Sequence, residues 1–152
     1  MGKLLLLAAV AWPVLLAFAL WERIYHPAAL PGLSLYLAAS TICHQIAERS
    51  FHTAGVPWPV CGRCAGLYAA APFGAWLGLA LARGSRAMGA TRLLALAALP
   101  TAVTVAMEWA RPASVGNVAR CVSALPLGAA VAVVLVASVA HGQSVRPAEL
   151  RR

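Results

Sequence analysis

Charge is what this sequence has least of. Of its 152 residues only 11% are Asp, Glu, Lys or Arg, and just four are acidic. Soluble domains average about 25% charged and about 45–50% apolar residues. Here 62% of residues are hydrophobic and the mean hydropathy is +0.80, which excludes an ordinary soluble domain and points to an integral membrane protein. A serine nucleophile elbow, a P-loop, a dinucleotide fingerprint and a His-Glu-x-x-His pair are all missing, so the chemistries those motifs carry have no support. Internal repeats, low-complexity linkers and a soluble domain are absent too. Twelve basic residues give a net charge of +8. They form no cluster interleaved with aromatics, so nucleic acid is not expected as a partner. The arginines sit between apolar runs, where they control topology.

What the chain has in quantity is Ala, Leu, Val and Gly. Five stretches lack charged side chains over lengths near the ~20 residues of a membrane span. They cover residues 4–21, 28–47, 65–82, 93–107 and 121–140. The expected fold is all-α, a polytopic transmembrane helix bundle of four or five spans. Residues 1–140 would form one transmembrane domain, and a polar, basic tail over 141–152 would fray into water. Five spans are favoured, with residues 22–27 as a tight turn. The second stretch opens on Leu30-Pro31-Gly32 and ends in Cys-His-Gln, so a re-entrant or interfacial helix is its alternative. The first stretch follows Lys3 and contains Ala17-Phe18-Ala19, as a cleaved signal peptide would; its length and Trp12-Pro13 favour a retained span. Each stretch holds one proline: Pro13, Pro31, Pro72, Pro100 and Pro126. Such kinks survive in lipid where neighbouring groups satisfy the freed carbonyls. Small residues such as Gly66, Gly74, Gly78 and Gly128 suit close helix packing, and a bundle this small is a candidate homo-oligomer.

Arginine placement predicts the orientation. Arg83, Arg86 and Arg92 crowd one short connection, and Arg146, Arg151 and Arg152 crowd the tail. By the positive-inside rule both are cytoplasmic. The connection before residue 65 and residues 111–120 would then face outward from a bacterial inner membrane, with membrane lipid as the surrounding partner. Four spans put the N-terminus inside, five put it outside. All four cysteines, Cys121 included, fall near the external, oxidising side.

The chemistry of the chain is concentrated in one place. Cys43-His44-Gln45 is followed by Cys61-Gly62-Arg63-Cys64, which puts three of four cysteines and two of four histidines within 22 residues. Val56-Pro57-Trp58-Pro59 cannot be helical, and an apolar stretch starts directly after Cys64. The Cys-x-x-Cys pair therefore sits at or just before a helix N-terminus, where the helix dipole and Arg63 favour thiolate. A closed zinc site needs four ligands. Cys43, Cys61 and Cys64 are natural choices and His44 is the obvious fourth. Adjacent residues of a helix point about 100° apart, so His44 joins Cys43 only if the helix ends there; His52 and Cys121 are substitutes. Gln45 and Arg49, one helical turn apart, would support the ligands from behind.

A second group lies further along the chain. Asn117, Arg120 and Glu108 fall on the same external side and could line one pocket with the cysteines. Arg49, Arg63, Arg111 and Arg120 would make that pocket attractive to an anion such as a lipid phosphate. The plainer reading of Glu108 is an interfacial pair with Arg111, and of the arginines, topology and headgroup contact. Trp12 is expected to pack, with Trp21, Trp58 and Trp109 as interface anchors.

These residues carry a family resemblance. Cys43-His44-Gln45, Glu48-Arg49-Ser50-Phe51, Gly55, Pro59 and Cys61-x-Arg63-Cys64-x-Gly66-x-Tyr68 resemble the signature of domain of unknown function 2085, a family of small membrane proteins. Ser114, Asn117 and Arg120 are similar to the family's later pattern. Cys121-Val-Ser123 stands where that pattern has Thr-Gly, and Glu108 where it has aspartate. The resemblance implies a multi-span membrane fold and no established activity.

Three functions remain open at this stage. The first is a metal site, zinc as its cofactor, that fixes the external loop or supports lipid-linked chemistry. The second is a membrane thiol-disulfide oxidoreductase in which Cys61 and Cys64 exchange, Cys43 or Cys121 relays electrons and His44 is the base. The third is a structural membrane protein without catalytic activity, its cysteines buried or disulfide-bonded.

Overall fold

The computed structural model describes residues 1–81, 89–110 and 115–149, with side chains described as far as residue 140. Five helices carry the chain: α1 (Gly2–Tyr25), α2 (Leu30–Ser40), α3 (Gly62–Leu81), α4 (Ala90–Ala110) and α5 (Asn117–Glu149). A 3₁₀ turn (Ala47–Arg49) and a hairpin of β1 (Ser50–Thr53) and β2 (Val56–Cys61) lie between α2 and α3. In hydrocarbon every backbone polar group must be satisfied within its own segment, so long apolar runs become helices. Four of these are long and apolar enough to cross a membrane: Gly2–Tyr25, Gly62–Leu81, Ala90–Ala110 and Asn117–Ala140.

The favoured count of five spans gives way to four. The stretch 28–47 becomes an 11-residue helix, α2, about 16 Å long at 1.5 Å per residue. That is roughly half the ~30 Å of a hydrocarbon core. Pro31 suits its first turn, where no donor is needed. Its far end is terminated from outside. Gln45 takes a left-handed backbone (φ 49), and its amide donates to Tyr36 O and Pro59 O, both at 2.8 Å. The Tyr36 hydroxyl donates to Pro57 O at 2.8 Å. These bonds tie α2 to the hairpin and turn residues 41–46 out of the helix. The helix α5 runs through Glu149, past its apolar span, which ends at Ala140.

The hairpin is the one non-helical element among the described residues. Ser50 pairs with Cys61 and Thr53 with Val56, closing on Ala54 (φ 50) and Gly55 (φ 78). Two residues at positive φ make the turn whose twist suits a tight hairpin. Pro57 and Pro59 are tolerated because each strand of a two-stranded sheet has an open edge.

The helices stack in the order α2, α1, α3, α5, α4. The tightest interface is between α3 and α5. Gly62, Gly66, Ala70, Gly74 and Gly78 are all buried and recur every four residues along one α3 face. A Cβ at Gly66 would run into the Cys121 carbonyl, and one at Gly74 into Ala129. This close approach draws the start of α5 against the start of α3. Gly74→Leu is expected to cost at least the ~1–3 kcal/mol typical of overpacking. Thermal unfolding in detergent checks it, with exposed Trp76→Leu one turn-face away as the control.

Gly2 abuts Leu79 and Ala140, so the N-terminus shares one end of the bundle with the last turn of α3 and with Ala140 of α5. At the other end gather the hairpin, the start of α3, the end of α4 and the start of α5. Trp12 packs edge-on to Tyr68, with centroids 6.1 Å apart. Trp21 and Trp109 are exposed, as interface anchors would be, whereas Trp58 packs at a tilt against Phe51 and donates to Thr53 Oγ1 within the hairpin.

Candidate metal centre

Cys43 lies three residues beyond the end of α2. Its N–H still bonds to Ala39 O at 3.0 Å, but the chain then leaves the helix. The side chain is 5% exposed, in a core with Leu16, Ala39 and Val60. Cys61 ends β2 and immediately precedes α3, so the sequence argument for a helix start holds. Cys64 lies in the first turn of α3. The three sulfurs all lie within 4.8 Å of one another. Tetrahedral zinc, with bonds of about 2.3 Å, needs sulfurs about 3.8 Å apart, a closure of roughly an ångström.

Hydrogen bonds prepare these sulfurs for charge. The Cys61 N–H donates to Cys43 Sγ at 3.2 Å. The Cys64 thiol donates to the Cys61 sulfur and, against the opposing effect of burial, pulls its pKa down to about 5; the N–H groups of Cys64 and Arg63, at the start of α3, add to this. A cation among the sulfurs would replace the shared proton, as metal binding at thiols requires. In metal-free, reduced protein, Cys61 should therefore be thiolate above pH ~5 and lose that form as pH falls through it. Its alkylation should persist at pH 6, where a free thiol with pKa about 8.5 is almost unreactive. A mass-spectrometric rate profile checks this; a Cys61 profile matching the free thiol would refute it.

The other residues expected here divide into two roles. His44 is exposed and lines a cavity of about 250 Å³ shared with Cys43, Cys61, Cys64, Arg49, Arg63 and Arg120. Because α2 ends at Ser40, the angular objection to neighbouring ligands no longer applies. Even so, the close-set group comprises the three cysteines, and His44, His52 and Cys121 stand outside it. Gln45 bonds backbone carbonyls of α2 and β2, so it positions the thiols and does not touch them. No helical turn links it to Arg49, which sits on the 3₁₀ turn.

Glu108 is held by two arginines. Arg120 Nε donates to its Oε1 at 2.7 Å, and Arg63 Nη2 lies 3.0 Å from the same oxygen. Arg120 is 5% exposed and also donates to Asn117 Oδ1 at 2.7 Å. The Asn117 amide donates to Ser50 O at 2.8 Å, fastening α5 to the hairpin. The expected partner Arg111 lies outside the described residues. Three residues that the sequence argument did not assign to the site complete it. Leu16 and Trp12 wall the thiols from α1. Ser50, fully buried, bonds Ile46 O and offers its own carbonyl to Asn117.

These features define a polytopic helical membrane protein with a three-cysteine site capped by a hairpin. The chain belongs to the DUF2085 family of predicted membrane proteins, whose family model matches residues 43–134, from the first site cysteine into α5. No curated protein and no solved structure matches it.

Proposed function

We propose that Cys43, Cys61 and Cys64 hold a zinc-type ion at the external face of a bacterial inner membrane. The convergence of three free thiols within 4.8 Å, from the segment after α2, from β2 and from α3, is the observation that carries this reading. A disulfide needs two sulfurs; a third converging sulfur is what a metal needs. The fourth position would open on the cavity lined by His44. The ion would pin the hairpin to the bundle, or, with a ligand at the open position, activate a group in lipid-linked chemistry. The external placement is supported by Arg83 and Arg86, between α3 and α4 in the sequence, and by Arg92 in the first turn of α4, one span along the chain from the cysteines. Metal analysis of detergent-purified protein tests the reading. One equivalent of zinc, retained in Cys121→Ser, is expected.

A second reading has its own observation. The lowered thiol of Cys61, at a helix start beside Cys64, is the setting of an exchangeable pair. A metal-free protein with a reversible Cys61–Cys64 disulfide would favour it over the metal centre.

A further inference from the structure

The cavity beside the thiols has a charge balance that the metal alone does not complete. A divalent ion with three thiolates carries −1, and Glu108 adds −1. Arg49, Arg63 and Arg120 supply +3, and all three line the cavity. The sum is one positive charge in excess. Among the described residues, the buried side-chain nitrogens without a hydrogen-bond partner are Nε and Nη2 of Arg63. The 3.0 Å approach of Nη2 to Glu108 is a charge contact without hydrogen-bond geometry. With two guanidinium nitrogens kept from solvent and unbonded, Arg63 has more donor capacity than its one carboxylate takes up.

We infer that this cavity seats a phosphate-type oxyanion, drawn in by Arg49, Arg63 and Arg120 and facing the open position of the metal. About 250 Å³ is ample for a phosphate group. Guanidinium forks match its planar pairs of oxygens, and a site walled by Ile42 and Ile46 strengthens such bonds. Arg120 is anchored by Glu108 and Asn117, so it presents a fixed charge. Arg49 stands at the exposed rim. The same chemistry would fit inorganic phosphate or a lipid headgroup. A separate apolar cavity of about 200 Å³, lined by Leu16, Leu20, Trp58, Val60 and Tyr68, adjoins the thiols through Val60 and could take an acyl chain.

This inference rests on the metal centre, because the anion is placed facing the open position of its ion. The test uses full-length protein in a non-ionic detergent, loaded with Co²⁺ in place of zinc, with metal content measured on every sample. One arm is titrated with inorganic phosphate, the other with a short-chain phosphatidylglycerol, against a phosphate-free glyceride control. The expected result is a saturable change in the cobalt ligand-field bands in at least one arm. Phosphate alone identifies a free anion as the ligand; the phospholipid alone identifies a headgroup. Losing one charged hydrogen bond costs about 1.5–3 kcal/mol, so Arg63→Gln should weaken binding roughly ten- to a hundredfold, with Arg63→Lys weakened less. Arg49→Gln, on the exposed turn, should also weaken it and does not disturb the core. Metal bound with no response to either probe would overturn the anion site and leave the metal centre standing. Wild-type protein that takes up no metal would overturn both.

Discussion

Cys43→Ser is expected to empty the metal centre and make the protein indifferent to chelators. Cys43 is the ligand that the hairpin and α3 cannot supply. It arrives from the segment after α2, sits in the core with Leu16 and Val60, and accepts the Cys61 N–H. A serine hydroxyl is shorter, stays protonated and is a poor partner for a soft-ligand site, which leaves two thiolates. Structural zinc contributes about 10–16 kcal/mol of apparent binding free energy in peptides that fold around it. Here Gln45 and Asn117 also hold the hairpin, so metal loss should loosen the cap and not unfold the bundle. Zinc should fall from one equivalent to near zero. A strong chelator should lower the wild-type melting temperature and leave that of Cys43→Ser unchanged, because only a ligand bound to the folded state stabilises it. Equal indifference of both proteins to the chelator would sink the metal reading.

Glu108→Ala should be among the most destabilising single changes in the described part of the chain. It leaves the buried Arg120 without its anion and Arg63 without its charge contact. Removing one partner of a buried pair costs about 3–5 kcal/mol, because the surviving charge stays desolvated. Glu108→Gln keeps an oxygen acceptor for Arg120 and should cost less. Exposed Glu48→Ala, whose backbone carbonyl alone contacts Asn117, serves as the control. Unfolding in detergent for the three variants decides it. The idea fails if Glu108→Ala unfolds alongside Glu48→Ala.

Much of the architecture was readable along the chain because it depends on local composition. An uncharged run near 20 residues must fold as a helix in lipid, and four of the five runs did. Pro57 and Pro59 forbade helix before Cys61, and the structure has a strand there. The failure at residues 28–47 is equally instructive. Hydropathy counts apolar residues but does not register that Gln45 takes φ 49 and bonds carbonyls nine and fourteen residues away. For the same reason the helical argument about His44 and Arg49 started from a helix that does not exist there. Glu108 shows the limit of spacing arguments. Its pairs with Arg63 and Arg120, 45 and 12 residues away, follow from no spacing along the chain.

By itself, the sequence determined the membrane class, the four long helices, and the position of Cys61 and Cys64 at a helix start. Each follows from residues within one turn or one span. Only the tertiary structure decided that Cys43 meets the other two, that Gln45 braces them, and that Arg63 and Arg120 share Glu108 beside the cavity. Those contacts join residues 9 to 45 positions apart. The contacts that α5 makes there form because the glycine face of α3 lets α5 approach closely enough to bring both helix starts under one hairpin.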